Sequence, residues 1–144
     1  MANFEEPNDE TNEIFDRAIL SADLTRYIDY KLVVNNKLKV IGKPQKQSDI
    51  NRYLNNIDLV IYLNEQIFNQ LPEEDRKIVA ESIVAGIHYD TEKDKLNVSP
   101  GDIPEIHSGV VAKYGVDRYF GIQSLIKEIF SQTKDTKEQE GQEN

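Results

Sequence analysis

At 144 residues the chain has the length of one domain, enough to bury a core. It contains no cysteine, which excludes a disulfide framework and thiolate chemistry, and no apolar run of about 18 residues that could span a membrane. A formal net charge of -9 argues against broad binding to a nucleic-acid backbone, which needs clustered Lys and Arg.

Residues 1–12 are polar and acidic and read as an extended arm. Glu5, Glu6, Asp9, Glu10 and Glu13 precede the first basic residue, Arg17. A secretory signal peptide needs a positive start, so synthesis in the cytoplasm is expected. Ile14, Phe15, Ala18, Ile19, Ala22, Leu24 and Tyr27 set a helical stripe from about Glu13 to Tyr27. Two β-rich runs, Tyr30 to Val34 and Lys37 to Ile41, flank Asn35-Asn36 and predict a tight hairpin ended by Gly42, Pro44 and Gln45. Lys31, Lys37, Lys39, Lys43 and Lys46 form a modest basic stripe, which a solvated hairpin face explains.

Ser48 can cap a short helix to about Asn55, with Ile50, Tyr53 and Leu54 expected inward. Asp58 to Leu63 is the strongest strand, and its continuous apolar run suggests an inner place in a sheet. Asn64 can cap a short helix holding Ile67 and Phe68. The best helix follows, over about 72–89. Pro72 suits its first turn, Glu73, Glu74 and Asp75 match the positive end of its dipole, and Ile78 to Ile87 is apolar or small nearly all round. Other elements should pack about it. Residues 90–95 read as a polar hairpin tip and Leu96 to Ser99 as a short strand. Asp102 can cap a helix to about Tyr114, with Gly115 at the left-handed position after it. A last helix spans about Asp117 to Gln132, and residues 133–144 read as a polar tail. The expected organisation is an acidic arm (1–12), one α+β domain (13–132) with a short mixed or antiparallel sheet on the central helix, and the tail.

Several of these stretches carry a resemblance. Gly42-Lys43, Ser48-Asp49-Ile50-Asn51-Arg52, Asp58-Leu59-Val60-Ile61, Asn64-Glu65, Leu71, Glu73-Glu74-Asp75-Arg76, Asp102-Ile103-Pro104-Glu105-Ile106 and Lys113-Tyr114-Gly115 stand in matching order. Over roughly residues 13–116 the chain resembles the phage metallopeptidase family, which looks like a minimal zincin. The resemblance implies a zincin-like fold. It also implies an H-E-x-x-H helix, where His at i and i+4 hold Zn²⁺ and the Glu activates water. Ser82 stands at the first His, Ile83 at the Glu, Gly86 at the second His, and Gly101 at the third ligand. None of these can serve, so no catalytic, metal or cofactor residue is assigned.

His88 and His107 could join Asp90, Asp102 or Glu105 in a different metal site, but two isolated histidines are more often surface or hydrogen-bonded residues. The sequence therefore points to a non-enzymatic phage protein on a degenerate scaffold. The expected role is a structural or assembly component of the virion, ring or connector in type. Its partners would be other phage structural proteins or copies of itself, without membrane insertion or strong nucleic-acid binding. A metal-dependent hydrolase with unorthodox ligands, or an acidic inhibitor of a host protein, are the alternatives.

Overall fold

The computed structural model describes the backbone of residues 5–99 and 108–143, and the side chains of residues 5–99 and 109–133. Within them the chain is a mixed α+β fold. In order come α1 (Asp9–Ser21), β1 (Tyr30–Val34), β2 (Gly42–Lys46), α2 (Asp49–Asn55), β3 (Leu59–Leu63) and α3 (Glu65–Phe68). Then follow α4 (Glu73–Val84), β4 (Ile87–Asp90), β5 (Lys95–Val98), α5 (Ser108–Tyr114) and α6 (Val116–Glu143).

Three strands form a sheet in the order β1-β3-β2, with β1 parallel to β3 and β2 antiparallel to it. The central place of β3 follows from its apolar run. Leu59, Ile61 and Leu63 are fully buried, while Val60 and Tyr62 on the other face are half-buried. Phe15, Ala18 and Ile19 of α1 and Ile78, Val79, Ala80 and Val84 of α4 join those three leucine and isoleucine side chains in one core. Each Val, Leu, Ile or Phe side chain among them contributes about 1.5–3 kcal/mol by leaving water.

The expected hairpin at Asn35-Asn36 does not form. Residues 37–41 are not a strand, and β2 begins at Gly42, where the run was expected to end. β1 and β2 flank β3 instead of pairing with each other. The asparagines serve another purpose. Asn35 donates its N–H to Leu63 O at 2.8 Å, and Asn36 Oδ1 accepts from Gln66 N at 3.0 Å. Buried Asn64 caps α3 through Ile67 N and donates Nδ2 to Leu38 O at 3.0 Å. Pro44 is tolerated because β2 is an edge strand.

The first helix starts earlier than expected and stops sooner. Asn8 caps it by accepting from Thr11 N at 2.8 Å, and Thr11 is buried. Residues 8–12, expected in the arm, therefore belong to the body. Glu5 is held there too, by a two-way backbone bridge to Val34. At the other end Asp23 takes φ 57, and Leu24 N and Asp23 N bond back to Ile19 O and Leu20 O. This is a Schellman turn with Asp in place of the usual Gly.

The central helix is shorter than 72–89. It stops at Val84, and Ile87 to Asp90 form a strand antiparallel to β5. Ile87 and Tyr89 face inward and His88 outward, the alternation of a strand. Tyr89 stacks on Tyr27 with ring centroids 4.7 Å apart. Asp90 Oδ1 accepts from Glu92 N and Lys93 N and turns the hairpin.

The backbone of α5 begins in the description at Ser108, so the expected cap at Asp102 lies outside the described residues. Gly115 takes φ 94 between α5 and α6, as expected. The presumed tail continues α6 to Glu143. Its Lys, Glu and Gln residues are good helix formers, and no proline interrupts them.

Candidate functional site

Of the positions that the motif resemblance singles out, Ser82 and Ile83 lie in α4 and Gly86 just beyond it. Ser82 is buried and donates its Oγ–H to Ile78 O at 3.0 Å, one turn back. That hydroxyl is spent inside its own helix. Ile83 leans on β2: a Cβ added to Gly42 would stand 2.7 Å from Ile83 Cδ1 and 3.1 Å from Tyr62 O. The position expected for a general base is thus filled by an aliphatic side chain packed against a glycine. Gly86 lies beyond the helix, in the turn to β4, where its carbonyl accepts from Ser99 N at 2.8 Å. Gly101 and His107 lie outside the described residues, and His88 is exposed on β4 opposite Asn97. Among the described residues no three His, Cys, Asp or Glu side chains gather as a metal site.

One polar cluster stands beside these positions. Glu81 accepts from Lys113 Nζ at 2.9 Å, tying α4 to α5. Its other oxygen, Oε2, and Tyr114 Oη are buried, with no partner at ordinary hydrogen-bond geometry among the described residues. Burial, and then the adjacent Glu81, push the Tyr114 hydroxyl above its ordinary value. The bond to Glu81 likewise raises Lys113. An open groove of about 410 Å³ runs between α1 and α4, floored by Ile14 and Ala18 and edged by Arg17, Glu74, Lys77 and Glu81. Three of those charges are already paired: Arg17 with Glu13, Glu74 with Arg118, Glu81 with Lys113. The cluster has the makings of an inter-helix pin. It offers no nucleophile with an adjacent base.

The surface holds a feature that sequence reading placed the wrong way round. Ser48 caps α2 as expected, accepting from Asn51 N at 3.3 Å. Yet Ile50, Tyr53 and Leu54 are 67%, 84% and 66% exposed, and no residue of α2 is buried. Positions i, i+3 and i+4 share one helix face, so the apolar face of α2 points to solvent. Its polar side makes the attachment: Arg52 Nε bonds Asp58 Oδ1 at 2.8 Å, and Asp58 Oδ2 accepts from Asp29 N at 2.8 Å. The clue in the sequence was Arg52 six residues before Asp58, a pairing that turns the helix over.

The expected basic stripe is also divided. Lys31 pairs with Glu6 at 3.2 Å within the same chain. Lys43 and Lys46 are exposed on β2 and pair with no acid among the described residues. Among the described residues, no helix is long and apolar enough to cross a membrane. Neither the models of known protein families nor the curated proteins contain a match to this chain.

Proposed function

We propose that this is a non-enzymatic bacteriophage protein on a degenerate metallopeptidase-like, zincin-like scaffold, acting as a structural or assembly component of the virion. Its partners are other phage structural proteins or copies of itself. What supports this reading is the use α4 makes of the positions matched to the first ligand and the general base. Ser82 is hydrogen-bonded to Ile78 and Ile83 is packed on Gly42, so both positions serve cohesion of the fold. A helix buried beside a small sheet with one antiparallel edge strand is compatible with such a scaffold. The phage setting comes from the motif resemblance. A scaffold without its chemistry works through its surfaces.

Quantitative mass spectrometry of purified virions is the test. The chain should be present at a fixed ratio to the major capsid protein. A chain abundant in infected cells and missing from particles would refute the role. Elemental analysis adds a second check: about one zinc per purified chain would refute the non-enzymatic assignment.

A further inference from the structure

We infer that two copies of this chain exchange α6, with Gly115 as the hinge, and so form a reciprocal dimer. The inference goes beyond the assembly role and rests on the hinge alone.

A single residue separates α5 from α6. Gly115 takes φ 94, and its N–H donates to Val111 O at 2.8 Å, which ends α5. Tyr119 N donates to Gly115 O at 3.1 Å, which begins the ladder of α6. A left-handed residue at this place turns the carbonyls of Ala112, Lys113 and Tyr114 away from the N–H groups of Val116, Asp117 and Arg118. Those groups are partners in a continuous helix. With Gly115 in the ordinary helical conformation, α5 and α6 run on as one helix from Ser108 to Glu143 and make those bonds. Glycine takes either conformation at little cost, so the bend is a two-state joint.

Straightening the joint carries α6 off its own body. Helix α5 stays behind, with Val110 buried and Lys113 on Glu81. Ile122, Ile126 and Ile129 lose their place in the core and need an identical one. A second copy that has straightened too offers it. There Arg118 meets the other chain's Glu74 and Asp75, as it meets its own at 3.2 and 3.3 Å in the closed chain. Each contact of α6 is remade between copies, so complementarity requires no new surface. The hinge region is what differs. Val116 and Phe120, next to the hinge and one turn beyond it, are 50% and 61% exposed in the closed chain. In the dimer the two hinges cross at the two-fold axis, and these side chains gain apolar cover there. The closed chain is favoured by dilution and the exchanged pair by concentration.

The chain has no cysteine, so two single-cysteine variants report the exchange. Glu74→Cys and Arg118→Cys chains are unfolded together, refolded at millimolar concentration, and treated with a short bis-maleimide. In an exchanged dimer the two cysteines face each other across chains. The dimer fraction should then give a covalent heterodimer on a denaturing gel. In a dimer of closed chains they lie on different bodies and should stay unlinked. A Cβ on Gly115 would meet nothing within 4 Å, so Gly115→Ala alters the backbone preference alone. Alanine is strained at φ 94, and sedimentation should show dimerisation at least about tenfold tighter. Should Gly115→Ala fail to refold, the cysteine pair still decides. A chain that stays monomeric at millimolar concentration, a dimer without the cross-link, or a folded Gly115→Ala chain that associates no better than wild type would overturn the inference. A chain monomeric in solution yet present in virions would sink the exchange and leave the assembly role standing.

Discussion

Helices α2 and α4 carry the same kind of apolar spacing and use it in opposite ways. In α4, Ile78, Val79, Ala80 and Val84 are buried, and the helix is held by packing. In α2, nothing is buried, and the polar side is tied back by the Arg52 guanidinium on the Asp58 carboxylate. Periodicity establishes that a segment is helical. Which way it faces is decided by what the rest of the chain offers to cover it. α1, β2 and α5 pack on α4, whereas α2 is tied back through Arg52 and Asp58.

The largest way to test this contrast is Val84→Asp. An unpaired carboxylate at a site 2% exposed should cost several kcal/mol, on the order of a small domain's whole stability. Circular dichroism should show loss of the cooperative fold. A soluble, fully folded variant would mean that α4 is not the centre of the core.

Gly42→Val comes next. Its side chain would collide with Ile83 Cδ1 and press on the Tyr62 carbonyl, costing about 1–3 kcal/mol in denaturant unfolding. Adding Ile83→Ala should restore part of that loss, because it empties the same space. Additive losses would separate Ile83 from Gly42.

A smaller effect is expected at high pH. Burial, then the hydrogen bond to Asp16, raise the Tyr30 hydroxyl above its ordinary value of 10.0. The unfolded chain therefore releases this proton first as pH rises. Stability from Tyr30 is fully present below about pH 10 and is lost above it. Tyr30→Phe should flatten the alkaline limb of a stability–pH curve. An unchanged limb would assign the loss to Tyr114 and Tyr119, whose hydroxyls burial also raises.

The smallest effect belongs to α2. Ile50→Ser, Tyr53→Ser and Leu54→Ser together should move the unfolding free energy by no more than about 0.5 kcal/mol per site, the range of surface substitutions. A loss like that in α4 would show that this face is covered within the monomer.

Much of the layout was legible in the residues, and the exceptions have physical causes. The inner position of β3 follows from its unbroken apolar run, and Ser48 and Asn64 cap as their side chains predict. The end of α1 was hidden because Asp23 fills a place usually marked by Gly. The end of α4 was hidden because Ala85-Gly86-Ile87 satisfies both a helical and a strand pattern. The hairpin at Asn35-Asn36 failed because strand pairing is a long-range choice. An inner strand with two free edges outbids a local turn. At the candidate site, the positions at Ser82, Ile83 and Gly86 were singled out by the motif resemblance and not by the chain's own spacing. The outward face of α2 could not be read from the sequence, since it depends on Arg52 meeting Asp58.

The order of strands also shapes how the chain acquires its structure. The strand in the middle of the sheet is the last of the three to leave the ribosome. Until Leu59 to Leu63 emerges, β1 and β2 have no strand between them to pair with. Once made, it pairs with both, Tyr30 meeting Leu59 on one side and Lys46 meeting Leu59 on the other. β2 has the shorter connection to β3, so that pair closes at lower entropic cost than β1 with β3, which must be joined across the whole β2–α2 segment. A nascent chain halted before β3 would expose two unpaired strands, the state most open to aggregation.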